Sequence, residues 1–256
     1  MSTAEDSIRR MLEQLGAWRH LPAYRLEPRA DAFFGLYMHG VVERHVGREL
    51  HQVVIPELPL RKGTLSDDAQ KPNESVKADY ALFAKNGDVV YLIELKTDQA
   101  SLREKQDKDL TRAKELGWHK ILDGIVQIMC ATTSQYRLKY LHLLGLLEEV
   151  GAVSVPSEIY QAIPTDILRH LGNVQNLARP ETAIEVLYIQ PRATDKDKDK
   201  GKDVIDFEEF RSGLPADDPV ARIFGEHLIG WTKPAGEERP QREALPAIDG
   251  FPTITS

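Results

Sequence analysis

Two β-rich runs, residues 76–83 and 89–97, flank the dipeptide Asn86-Gly87, and no other feature limits the possible folds of this chain so sharply. Asn-Gly is the strongest short-range signal for a hairpin with a two-residue type I′ turn. A turn at those two positions fixes the register by arithmetic. Lys85 faces Asp88, Phe83 faces Val90, Ala81 faces Leu92, Asp79 faces Glu94 and Lys77 faces Lys96. Side chains alternate between faces along a strand, so Glu94 and Lys96 share a face with Val90 and Leu92, and Asp79 joins them from the neighbouring strand. That face is apolar core at one end and carries two carboxylates and a lysine at the other. Directly opposed residues have Cβ atoms about 4.5–5.5 Å apart, where like charges destabilise a sheet. A cation between the carboxylates relieves that repulsion. A divalent metal is the natural candidate, because Mg²⁺ takes one or two carboxylates together with waters and substrate phosphates.

The pattern Asp79, fourteen residues, then Glu94-Leu95-Lys96 resembles the signature of the PD-(D/E)xK nuclease superfamily, with Ala78 where the family name has proline. The resemblance implies an α/β fold with a restriction-endonuclease-like αβββαβ core, its mixed central sheet flanked by helices and elaborated by a helical insertion. It also implies Mg²⁺-dependent hydrolysis of phosphodiester bonds, in DNA before RNA, with Mn²⁺ as a substitute. Asp79, Glu94 and the backbone carbonyl of Leu95 would hold the metal, and Lys96 would orient or activate the attacking water. Many members carry a further glutamate on the helix before the first core strand, and Glu43 in Gly40-Val-Val-Glu43 resembles it. A solvated glutamate beside Arg44 is the other reading of Glu43, and Glu49 and Glu57 compete for the role. Gln106 resembles the glutamine of the Gln-xxx-Tyr element in RecB-type exonucleases, with Leu110 in place of tyrosine. A core-edge amide bonded to backbone is the alternative there. For the whole chain the rival is an inactive member that binds nucleic acid or serves as an assembly subunit; intact Asp79, Glu94 and Lys96 weigh against it. A third reading, an interaction protein, makes the motif a coincidence.

At 256 residues and 41 % hydrophobic content the chain can bury one substantial core. Residues 1–233 read as a single nuclease-like domain with a helical elaboration at about 119–178. Residues 234–256, rich in proline and charge, read as a loosely ordered tail. A net charge of −7 argues against a protein that coats nucleic acid non-specifically, but it is compatible with a local basic groove. Under that balance an accessory protein or a homo-oligomer is a reasonable source of DNA affinity. The single Cys130 excludes an intrachain disulfide framework. The start lacks a signal-peptide pattern and no run of eighteen apolar residues exists, so the expectation is a cytoplasmic protein without a membrane partner.

Hydrophobic spacing predicts helices over 4–16, with Gly16 as the stop, and over 30–45, joined by an extended connector at 21–29. A short strand over 51–60, placed at an edge by its prolines, precedes a polar loop in which Asp67 and Asp68 are solvated. Ser101 and Glu104 have capping-box spacing and open a helix ending near Gly117, with Leu102, Gln106, Leu110, Ala113 and Leu116 inward. Arg103, Lys105, Lys108 and Arg112 on that helix either contact phosphates or form a solvated face. Residues 119–150 read as two helices or one bent helix, followed by a helix at 165–177, a strand at 183–190 and helices at 203–213 and 219–228. The run from Asp195 to Asp203 fails the calcium-loop pattern, with glycine at the seventh place and aspartate at the twelfth, and reads as a solvated linker. No zinc, phosphate-loop, dinucleotide or serine-hydrolase spacing is present, and the three tryptophans read as packing residues.

Overall fold

A computed structural model describes residues 3–67, 69–98 and 104–236. Helices α1 (Ala4–Trp18) and α2 (Glu27–Val46) lead into β1 (Ile55–Arg61), the one-turn α3 (Lys62–Leu65) and the hairpin of β2 (Ser75–Phe83) and β3 (Val89–Leu95). Then come α4 (Glu104–Leu116), α5 (Trp118–Ala131) and α6 (Ser134–Glu149), and an appendage of β4 (Val153–Ser154), α7 (Ser157–Gln161), α8 (Ile167–His170) and β5 (Gln175–Asn176). The chain returns to the sheet as β6 (Ala183–Gln190) and finishes with α9 (Asp195–Asp199), β7 (Asp203–Asp206), α10 (Phe207–Ser212) and α11 (Pro219–Trp231). The main sheet has the order β1-β2-β3-β6-β7. Its first three strands are antiparallel, while β6 and β7 join in parallel, so the sheet is mixed. Pro56 and Pro59, which lack a donor, sit in edge strand β1. Among the described residues no helix is long and apolar enough to cross a membrane.

Helices cover both faces, and the central strands are therefore apolar on both sides. On one face α1, α2, α10 and α11 bury Tyr80, Leu82, Tyr91, Ile93, Leu187 and Ile189. Phe34 holds this layer together, with ring centroids 5.2–5.6 Å from Phe207, Phe210 and Phe224. On the other face α4, α5 and α6 cover Ala81, Phe83, Val90, Leu92 and Ile184. Trp118 stands edge-on to Phe83 there.

The hairpin keeps the expected register at Phe83–Val90 and Ala81–Leu92, but its turn differs. A type I′ turn needs positive φ at both central residues; only Gly87 has it, at +70°, and Asn86 does not. Gly87 N–H donates to Ala84 C=O and Ala84 N–H to Val89 C=O, which makes 85–88 a four-residue loop. Lys85 consequently does not pair with Asp88; its N–H reaches Glu49 C=O. The loop adds one residue on each side of the dipeptide, so the register is unchanged. At the other end the ladder stops at Tyr80–Ile93. Lys77 therefore does not pair with Lys96; it pairs only on the β1 side, with Pro59, and its ammonium rests on Glu57.

Five further expectations are corrected. Helix α1 runs through Gly16, and α2 begins at Glu27, inside the expected connector, where Glu27 and Pro28 suit a helix start. The stretch 165–177 breaks into α8, a 3₁₀ turn and β5. Residues 203–206 are an edge strand beside β6 rather than helix. The lysine–aspartate run forms α9, capped by Thr194, with Asp197 turned inward and bonded to Gln190 and Thr194. The Ser101 capping box with Leu102 and Arg103, the Asp68 loop charge and the tail beyond 236 lie outside the described residues.

His45, near the end of α2, ties that helix to the β7 edge. Its Nε2 lies 2.9 Å from Asp203 and its Nδ1 2.5 Å from Glu209. Both ring nitrogens can donate only in the imidazolium form. Burial opposes that charge, but the two carboxylates outweigh it and hold the pKa above the usual value. This contribution to stability is complete below about pH 6.5 and is lost as pH rises through the raised folded pKa. Thermal melts between pH 6 and pH 9 should therefore show a steeper decline in wild type than in His45→Gln.

Candidate functional site

Asp79 and Glu94 meet where β2 and β3 part. Successive N–H groups of a strand point to alternate neighbours. Lys96 N–H turns to β6 and donates to Ile189 C=O, while Leu95 N–H turns towards β2 and donates to Asp79 Oδ2 at 2.7 Å. A side-chain carboxylate thus takes the place of a ladder carbonyl. Glu94 projects on the α4 face, 98 % buried by its 2 % exposure, and Gln106 of α4 donates to its Oε2 at 2.5 Å. Lys96 is also buried. Its Nζ donates to Leu95 C=O at 2.8 Å, is in direct contact with Glu94 Oε1, and lies 3.8 Å from Asp79 Oδ2. A third carboxylate, Glu27 Oε2 at the start of α2, is 3.7 Å from the same ammonium. These groups open into a cleft of about 350 Å³, whose wall also includes Arg19, Arg25, Thr97 and Asp98.

The charges do not balance, since three carboxylates converge on one ammonium. Burial pushes Glu94 up to about 8, and the neighbouring Asp79 adds to the shift against the pull of Lys96. Burial likewise raises Asp79, despite Lys96 and the Leu95 N–H. Lys96 goes the other way from a typical buried lysine: burial lowers it, but Glu94 and Asp79 overcome this and raise it. It therefore stays an ammonium at neutral pH.

The structure brings Asp79, Glu94, Leu95, Lys96 and Gln106 together, but not Glu43. Sixteen residues separate Glu27 from Glu43 on one helix, about 24 Å along its axis. Glu43 accepts from Leu50 N–H at 2.8 Å and faces His39, closing the far end of α2. Glu27 holds the position on this helix that the expectation gave to Glu43. Its signal was present in the sequence, an acidic residue followed by proline at a helix start. Glu49 lies elsewhere, paired with Lys85, whereas Glu57, paired with Lys77, stands near enough to Asp79 for its charge to raise that carboxyl. Gln106 bonds to a carboxylate rather than to backbone, so the backbone-bonded reading of that amide does not hold.

Among the described residues no three His, Cys, Asp or Glu side chains form a metal cage by themselves. Mg²⁺ does not require one: two carboxylates and a carbonyl, completed by water and phosphate, are a sufficient set of hard oxygens. Glu94 Oε1 is buried and is held by the Lys96 ammonium. The surplus of carboxylates over that one ammonium fits a hard divalent cation. No family model, curated protein or solved structure matches the chain.

The uncompensated charge has a measurable cost. With a folded pKa above the unfolded one, Glu94 makes stability fall as pH rises from about 4.5 through about 8. In EDTA at pH 8, Glu94→Gln should melt above wild type, and the gap should close towards pH 5. A wild type that melts higher at pH 8 would contradict this electrostatic account.

Proposed function

We propose that this chain is a metal-dependent phosphodiesterase that cleaves nucleic acid, DNA in the first place, on a restriction-endonuclease-like core. The succession α2, β1, β2, β3, α4, β6 supports the fold half of this reading, because it runs in the αβββαβ order. The carrying observation for the chemistry is the convergence of Asp79, Glu94 and the Leu95 carbonyl beside the Lys96 ammonium.

Each group then has a role that its surroundings support. Asp79 and Glu94 would hold the cation, with Leu95 C=O as a third oxygen. Such an ion, when bound, polarises the scissile phosphate and lowers the pKa of a bound water. Gln106 fixes the rotamer of Glu94 through its amide. Lys96, kept charged by two carboxylates, is suited to orient a water or to neutralise phosphate oxygens rather than to abstract a proton. Glu27 holds Lys96 from the α2 side and leaves the ammonium pointing at the cleft.

The test compares wild type with Lys96→Ala on plasmid, linear duplex, single-stranded DNA and RNA, in Mg²⁺ and Mn²⁺. Metal-dependent cleavage should fall by on the order of 10²–10³-fold in the variant, the usual cost of removing one stabiliser of transition-state charge. Calorimetry should show Mg²⁺ or Mn²⁺ binding to wild type and its loss in Asp79→Asn. A wild type that neither cuts nor binds either metal would sink the proposal.

A further inference from the structure

A second depression adjoins the site. It has a volume of about 710 Å³ and lies between α4 and the turn joining α9 to β7, with Val186 and Tyr188 of β6 as its floor. Its link to the site is direct. Tyr188 is the strand partner of Glu94, and Asp107 on its wall follows Gln106, which grips Glu94.

The walls carry five cations: Lys108, Arg112, Lys114, Lys200 and Lys202. Three have carboxylate partners. Lys202 bonds Asp107 at 2.6 Å and sits 4.0 Å over the Tyr188 ring, Arg112 pairs with Glu115, and Lys114 pairs with Glu185. Lys108 and Lys200 are exposed and make no ion pair among the described residues. The groove thus retains positive charge in a chain whose net charge is −7. The way α9 folds adds to this. Asp197 points inward to Gln190 and Thr194, while Lys196, Lys198 and Lys200 stay exposed together with Asp195 and Asp199. Burying one of the three aspartates leaves the exposed part of the run with one cation in excess.

We infer that this groove binds the phosphate backbone of the nucleic acid entering the site, with Lys108 and Lys200 as its contacts. The inference deepens the nuclease reading and rests on it for the identity of the polyanion. Cations with no ion-pair partner among the described residues, flanking the proposed phosphodiester site, match a chain carrying regularly spaced charge. A floor of Val186 and of Tyr188, whose hydroxyl is engaged by Asp107, favours contacts with backbone over base readout.

The experiment measures binding of a fluorescent DNA duplex to wild type and to the double variant Lys108→Gln/Lys200→Gln, in EDTA and in Ca²⁺, across a salt series. Each lost phosphate contact lowers the slope of log K against log salt by about 0.9 on duplex DNA. The double variant should lose a slope of about 2 and bind on the order of tenfold more weakly, uniformly across sequences. Both lysines are exposed, so its melting temperature should equal that of wild type. An unchanged slope and affinity would overturn the groove while leaving cleavage, read out by Lys96→Ala, untouched. Failure of wild type to bind DNA in either condition would overturn it as well. A lost slope in a protein that does not cut would support the groove and remove the nuclease reading.

Discussion

Everything at the functional end of this molecule depends on one hydrogen bond, from Leu95 N–H to the Asp79 carboxylate. A bond to a charged acceptor contributes about 1.5–3 kcal/mol, comparable to or better than the ladder bond it replaces. Because the acceptor is a side chain, β2 and β3 no longer need to run side by side beyond Tyr80 and Ile93. The strands separate, and the next side chains, Glu94 and Lys96, end in a cleft instead of in a sandwich of helices. With a backbone carbonyl as acceptor the hairpin would continue, and Glu94 would sit across from Asp79 with no room for a third party.

The frame around that opening makes such an arrangement tolerable. Two like charges beside a single ammonium are unfavourable in a buried setting. The sheet carrying them is packed on both faces by separate apolar layers, one knit by Phe34 and its aromatic neighbours, the other by Trp118 against Phe83. That packing holds Asp79, Glu94 and Lys96 at the ends of rigid strands, where their charges cannot relax away from each other. On the proposed reading a cation from solution would relieve this repulsion.

How far the sequence could be read follows from which forces act locally. The hairpin register was legible because period-two alternation and the turn dipeptide both encode it, and a symmetric lengthening of the loop preserves it. Strand β6 was legible as a run of β-formers, interrupted by Glu185 and stopped by Pro191. The turn type was not, since the φ of Asn86 answers to the neighbouring strand end at Glu49 as much as to its own preference. Residues 203–206 read as helix because Asp, Val and Ile next to Phe207 fit both periods; pairing with β6, a tertiary effect, settles them as strand. At the site, Asp79, Glu94, Lys96 and Gln106 follow from register and helix face. Glu27 does not, because its contact with Lys96 depends on where α2 crosses the sheet, a matter of packing between distant segments.

The distribution of charge is the last step in the synthesis. On the proposed reading an acidic chain approaches a polyanion against its own mean field, and screening over about 10 Å at 0.1 M salt leaves only nearby charges to steer the approach. Beside the groove some carboxylates are bonded within the protein, Asp107 by Lys202 and Asp197 by Gln190 and Thr194, while Asp195 and Asp199 stay exposed. The cations beside it, Lys108 and Lys200 above all, are turned outward. What a phosphate would meet at that edge is therefore set by side-chain direction and not by composition, and the net charge of −7 describes other surfaces of the molecule.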